Sequence, residues 1–117
     1  MDEIKTDNAP TQITIVLNEK CCPEVNPTPI GKTHAIITWT RKDGTKVENV
    51  DIENQLSFFE AGQPNGNDWT VKYNGSSGAK SWNYSTRCSD TGCSDGGVQD
   101  PSAFDARVPP QMNNEGG

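Results

Sequence analysis

Two cysteines stand side by side at Cys21-Cys22, and only two others, Cys88 and Cys93, exist to partner them. A bond between neighbours closes a strained eight-membered ring, so each thiol is expected to pair elsewhere. Crosslinks from residues 21–22 to residues 88–93 would close loops of about 70 residues, and the chain-entropy argument values the first at roughly 4 kcal/mol. A local Cys88–Cys93 loop is the alternative, leaving Cys21 and Cys22 for intermolecular bonds or a vicinal bridge. The hydrophobic share of this 117-residue chain is only 31%. An even cysteine count with so thin a core is the pattern of a disulfide-stapled domain outside the reducing cytosol. The expected setting is extracellular, a cell envelope or a virion. The Met1-Asp2-Glu3 start has neither the basic nor the apolar region of a secretory leader, so a mature form is expected.

The length allows one domain. No apolar run approaches the ~18–20 residues that a membrane-spanning helix needs. Ten basic residues against 16 acidic ones argue against nucleic acid as a partner, because phosphate binding needs a basic face. The acidity is concentrated at the ends. Residues 1–10 carry Asp2, Glu3 and Asp7 against Lys5, and residues 88–117 carry Asp90, Asp95, Asp100, Asp105 and Glu115 against Arg107.

Between the ends the signal is β. In TQITIVL, Ile13, Ile15 and Leu17 share one face. HAIITWTRKDGTKVENVDI resembles a hairpin around Asp43-Gly44. The spacing of Val47 and Val50 is wrong for a regular strand and predicts a bulge near Glu48–Asn49. Residues 68–74 and 80–87 alternate cleanly, with Trp69, Val71 and Tyr73 on one face and Trp82, Tyr84 and Thr86 on the other strand's face. The GSSG between them predicts a second hairpin whose aromatic rows meet across the strands. ENQLSFFEAG reads as a short helix built on Leu56 and Phe59 and ending at Gly62. CCPEVNPTPIG is too rich in proline for regular structure and is expected to cross between sheets in extended form.

The expected fold is all-β, a small antiparallel sandwich or open barrel of about five to seven strands with one short helix. Its domain covers residues 11–93. Residues 1–10 form a flexible arm, and residues 94–117 an acidic Gly/Pro-rich tail with Phe104 and Val108 as its anchors.

Catalytic signals are weak. Asp90-Thr91-Gly92 matches the aspartic-protease triplet, but Cys88-Ser89 and Cys93-Ser94 flank it where apolar strand residues belong. His34, the single histidine, has no nucleophile context around it. Cys88-x4-Cys93 resembles the opening of a ferredoxin loop, but Gly96 stands where the next ligand belongs, and adjacent cysteines rarely face one zinc ion. Asp90, Asp95 and Asp100 lie in a Gly-rich stretch without calcium-loop order. No catalytic residue, metal or cofactor is expected. The aromatic residues Trp39, Trp69, Tyr73, Trp82 and Tyr84 are expected to fill the core; with one row turned outward they would form a platform for sugar rings or a protein.

A strand pair, then DWTV, then Cys88-x4-Cys93 resembles the globular head of type IV pilins over residues 35–93. That resemblance implies antiparallel strands and a C-terminal disulfide loop. The hydrophobic assembly helix of those pilins has no counterpart, and no family is assigned.

The expected role is non-enzymatic: a structural or protein-binding module in an extracellular assembly such as a filament, virion surface or envelope complex. A protein partner or another copy would add a strand to an open edge. Removing residues 1–10 or 94–117 is then expected to disrupt assembly and spare the fold. Two other classes compete: a small glycan-binding domain, and an acidic inhibitor of the immunity type that binds a basic partner.

Overall fold

A computed structural model describes residues 10–94, 98–99 and 107–115. The described residues are all-β, with one turn of helix. In order come β1 (Thr11–Leu17), β2 (Thr28–Pro29), β3 (Ala35–Arg41), β4 (Val47–Ile52), α1 (Gln55–Phe58), β5 (Gln63–Asn65), β6 (Asp68–Tyr73), β7 (Ser81–Cys88), β8 (Gly92–Cys93), β9 (Val98–Gln99), β10 (Arg107–Val108) and β11 (Gln111–Asn113). The first sheet runs β1-β3-β6-β5 and the second β2-β11-β7-β4, with β8 also on β7. A separate ribbon joins β9 and β10. Among the described residues, eleven strands exceed the expected five to seven because several are two- or three-residue pairings.

β3 is the spine of the first sheet. Ala35, Ile37, Trp39 and Arg41 are buried on one face, and the residues between them are half-buried. β-branched and aromatic residues suit such a pleated, twice-covered position. Its two edges are filled by β1, which runs parallel, and β6, which runs antiparallel. That occupancy corrects the first predicted hairpin: β4 cannot reach β3 and pairs with β7. The Asp43-Gly44 turn is instead a corner between sheets. Gly44 N donates to Arg41 O (2.9 Å), and Thr45 N donates to the Asp43 carboxylate (2.9 Å). Gly44 takes φ +83°, which the missing Cβ permits. β4 enters the second sheet with the expected bulge: Val47 faces Cys88 and Asn49 faces Arg87, leaving Glu48 extra. The extra residue lets Val47 and Val50 both point inward.

The second predicted hairpin is also corrected. β6 and β7 lie in different sheets, because residues 74–80 are pinned to the 31–34 loop. Ser76 N donates to Lys32 O (3.1 Å), and Tyr73 OH bonds Gly31 O (2.8 Å) and the Ser76 hydroxyl (2.6 Å). The aromatic rows still meet, but across the core. Tyr73 and Trp82 lie 5.7 Å apart edge to face, as do Trp39 and Tyr84 at 5.4 Å. Phe59 completes the cluster against Tyr73 and Trp82. Phe59 and Tyr73 are tilted at 31°, while the edge-to-face contacts suit the ring quadrupoles.

The predicted helix is a single turn, Gln55–Phe58, that stops short of Gly62; Phe59, its extended C-cap, is buried, but Leu56 is 81% exposed. The proline linker crosses from the first sheet to the second as expected and contributes β2 on arrival. Two pairings, β1 with β3 and β2 with β11, are parallel, whereas only antiparallel ones were expected.

The largest departure is at the C-terminus. β11 pairs with both β7 and β2. Met112 and Asn114 are buried, and Pro110 is enclosed too. The packed domain therefore reaches residue 115 rather than stopping at 93. Phe104, the other predicted anchor, and residues 1–9 lie outside the described residues; Val108 is half-buried.

Candidate interaction site

Both disulfides tie the turn after β1 to the second sheet. Cys21 bonds Cys88 and Cys22 bonds Cys93, spanning 67 and 71 residues. The local Cys88–Cys93 loop that the pilin resemblance implied is therefore absent, and all four sulfurs are paired. Asn18 makes the arrangement feasible. Its side-chain oxygen accepts from Lys20 N (2.9 Å) and Cys22 N (3.1 Å), while its backbone bonds Cys22 O and Cys21 N. This tight turn puts Cys21 in left-handed backbone (φ 68°) and sends the adjacent sulfurs to different partners. Thr86 adds a buried hydrogen bond from its hydroxyl to Cys21 O (2.6 Å).

Arg41 sits in the same corner with its side chain 1% exposed. Its guanidinium meets Asp90 (2.5 Å), Asn18 O (3.3 Å) and Glu19 O. A planar fork with five donors can bridge three such acceptors at once. Two residues of the Asp90-Thr91-Gly92 triplet make contacts here. Asp90 holds Arg41, and Thr91 O accepts from Cys88 N (2.7 Å) in the β7–β8 turn. Asp95 and Asp100 lie outside the described residues. Among the described residues, no group of three metal-ligating side chains converges. His34 is exposed just ahead of β3.

The aromatic candidates divide unevenly. Trp39, Tyr73, Trp82 and Tyr84 are all buried, and rings in a packed core cannot stack on a sugar. Trp69 is half-buried, its indole nitrogen set against the Gly62 backbone. Burial pushes the Tyr84 phenol well above its ordinary range, with Trp39 opposing slightly. Burial raises Tyr73 as well, against its hydrogen bond to Ser76.

Two surface features stand out among the described residues. A depression of about 470 Å³ lies beside β4, β7 and β8, lined by Asn49, Asp51, Ser85, Arg87 and Ser94 among others. Asp51 stands opposite Ser85 across the β4–β7 pair, and none of the residues lining the depression is aromatic. The other feature is the free edge of β1. Leu17 O accepts from Lys42 N, which follows β3, whereas Val16 O accepts from Glu24 N on the opposite side. Peptide groups alternate in direction along a strand, so Gln12 and Thr14 also point away from β3. Among the described residues, nothing pairs with their N–H and C=O groups. TQITIVL contains no charge and no proline, the usual guards of an exposed edge. β5 at the opposite end of the sheet carries Pro64, and β4 in the second sheet carries Glu48 and Asp51. Beside β1 opens a cleft of about 330 Å³, lined chiefly by Ile15, Val16, Val25, Thr28 and Pro29, with Val25 63% exposed.

In the sequence β1 is one strand among several. The absence of charge in TQITIVL was visible, but its position at an edge was not. Asn18, Arg41 and Asn114 were missed altogether, since nothing in their sequence context marks them as buried or as organising loops.

No protein-family profile, no curated protein and no solved structure matches the chain. What the fold defines is a disulfide-braced, two-sheet all-β domain. No helix among the described residues is long and apolar enough to cross a membrane.

Proposed function

We propose that this chain is a non-enzymatic protein-binding module of an extracellular assembly, engaging its partner by strand addition at β1. The unguarded β1 edge carries the reading. A partner strand laid along it gains main-chain hydrogen bonds, and the neighbouring cleft accepts an apolar side chain. The two disulfides fit an oxidising compartment, where they persist without repair. They also hold the end of β1 to β7 and β8, so the edge is presented rigidly. A rigid edge loses less freedom on binding than a mobile one. The buried aromatic residues speak against a glycan platform, and the disulfides against an intracellular inhibitor.

The test is recovery of the chain from its native source under non-reducing conditions, followed by sizing of the wild type beside a Thr14→Lys variant. Lysine on an exposed edge strand discourages pairing. Co-migration of wild type with a larger assembly, lost in the variant, is the expected outcome. A free monomer in both would contradict the proposal, as would an assembly indifferent to the substitution.

A further inference from the structure

We infer that the strand added to β1 is β1 of a second copy, paired antiparallel about a two-fold axis at Ile13. This rests on the strand-addition reading and names its partner. A two-fold interface must be self-complementary, each residue meeting its counterpart in reverse order. Centring at Ile13 puts Gln12 opposite Thr14 of the second copy, and Thr14 opposite Gln12. These are the residues whose peptide groups face outward without a partner among the described residues. Each such pair exchanges two hydrogen bonds in an antiparallel ladder, so both residues of both copies are satisfied.

The chain's own linker sets the end of the ladder. Pro23 bridges Leu17 and Glu24 N donates to Val16 O (3.0 Å), so the edge beyond Thr14 is already filled. Pro10 of the second copy would fall opposite Val16, has no N–H for that carbonyl, and must turn aside, which confines the added pairing to Gln12–Thr14. Neither alternative does as well. Centring on Thr14 sets the Gln12 N–H against the occupied Val16 carbonyl. Centring on Gln12 sets the Thr14 carbonyl against Pro10, which cannot donate.

Side chains agree with the backbone. Gln12 and Thr14 are exposed on one face, where an amide and a hydroxyl can bond across the strands. Ile13 is partly buried on the core-facing side and would meet Ile13 of the other copy at the close, non-hydrogen-bonded position. The chain bears a net charge of −6, but β1 has no charged residue, so no like charges meet within the ladder. Glu24 at its end is already paired with Lys42 (2.9 Å).

The experiment uses the oxidised full chain, by sedimentation and by amide exchange read residue by residue, from roughly 10 µM to 1 mM, where an interface of four hydrogen bonds is expected to saturate. The mass is expected to double, with exchange at Gln12 and Thr14 slowing at least tenfold as it does. Thr14→Lys is expected to stay monomeric with unslowed exchange at Gln12, and Thr14→Val to dimerise like the wild type. A parallel arm adds a synthetic peptide of residues 10–17 to dilute protein. Protection by the peptide without doubling of the full chain would overturn self-pairing and leave strand addition standing. Absence of protection in both arms would overturn both.

Discussion

Arg41 and Asp90 form an ion pair of unequal partners. The Arg41 side chain is 1% exposed and the Asp90 carboxylate 65%, at a separation of 2.5 Å. The pair connects the end of β3 to the β7–β8 turn between Cys88 and Cys93. The same guanidinium bonds Asn18 O and Glu19 O in the turn that presents Cys21 and Cys22. One buried side chain thus ties together both segments that the disulfides join.

Because the arginine is the buried member, the two halves of the pair should not be equivalent. Arg41→Met is expected to lower stability by about 2–3 kcal/mol, since two backbone carbonyls lose a charged donor. Asp90→Asn should cost less than about 1 kcal/mol, its carboxylate being largely hydrated and its amide still able to accept. Urea unfolding of both variants provides the comparison, and equal losses would contradict the asymmetry.

The disulfide pairing can be read from paired serine variants. Removing Cys21 and Cys88 together should leave Cys22 bonded to Cys93, with no thiol free to alkylate. Removing Cys21 and Cys93 together should leave Cys22 and Cys88 without their native partners and two alkylatable thiols in the folded protein. Loss of either native bond should cost roughly 2–4 kcal/mol.

The C-terminal segment should prove integral to the fold. Asn114 donates to Ser76 Oγ (2.9 Å) and Gly78 O (2.6 Å) and accepts from Lys80 N (2.9 Å), all from a position 1% exposed. Asn114→Ala is expected to cost about 2–4 kcal/mol by leaving buried groups unpaired, and Met112→Ala about 2–5 kcal/mol through the cavity it opens. Deleting residues 107–117 should therefore unfold the domain, in contrast to the dispensable tail expected from sequence. Circular dichroism of the truncated chain settles the matter.

Two glycines with positive φ should respond differently to the same change. At Gly75 (φ +91°) a Cβ would lie 2.9 Å from the backbone oxygen of Lys32, whereas at Gly44 (φ +83°) it would meet nothing within 4 Å. Gly44→Ala carries only the backbone penalty of about 1 kcal/mol. Gly75→Ala adds a collision that a carbonyl in a pinned loop cannot relieve, for about 2–4 kcal/mol in all. Thermal melts of the two variants measure the difference.

Alkaline pH should act through the two tyrosines. Both phenols are raised by burial, so the folded state holds its protons where the unfolded chain has begun to release them. The stabilisation is complete below the ordinary tyrosine value near 10 and declines as pH rises beyond it. Phenolate absorbance is expected to appear together with unfolding, in one transition. A separate titration of either tyrosine in the folded protein would contradict its burial.

The sequence displayed what is local. Alternation in β3, β6 and β7, the Val47–Val50 irregularity and the proline crossover can all be read from neighbouring residues, and each is present. Strand partners could not be read in this way. Asp43-Gly44 and the GSSG stretch look like hairpin turns because the same residues make corners between sheets, and only competition for the edges of β3 decides between the two. β11 was hidden because Gln111–Asn113 is short and polar and becomes a strand through tertiary pairing with β7 and β2. The candidate edge was half legible: its lack of charge is a property of seven residues, its exposure a property of the sheet.

The most direct measurement is the intact mass of the protein from its native source, alkylated under denaturing conditions before and after reduction. No alkylation before reduction and four sites after it are expected, establishing two disulfides in the natural state and an oxidising compartment. A disulfide-linked oligomer in the same spectrum would mean that some of these cysteines pair between chains. Four free thiols before reduction would contradict the disulfide-braced extracellular module.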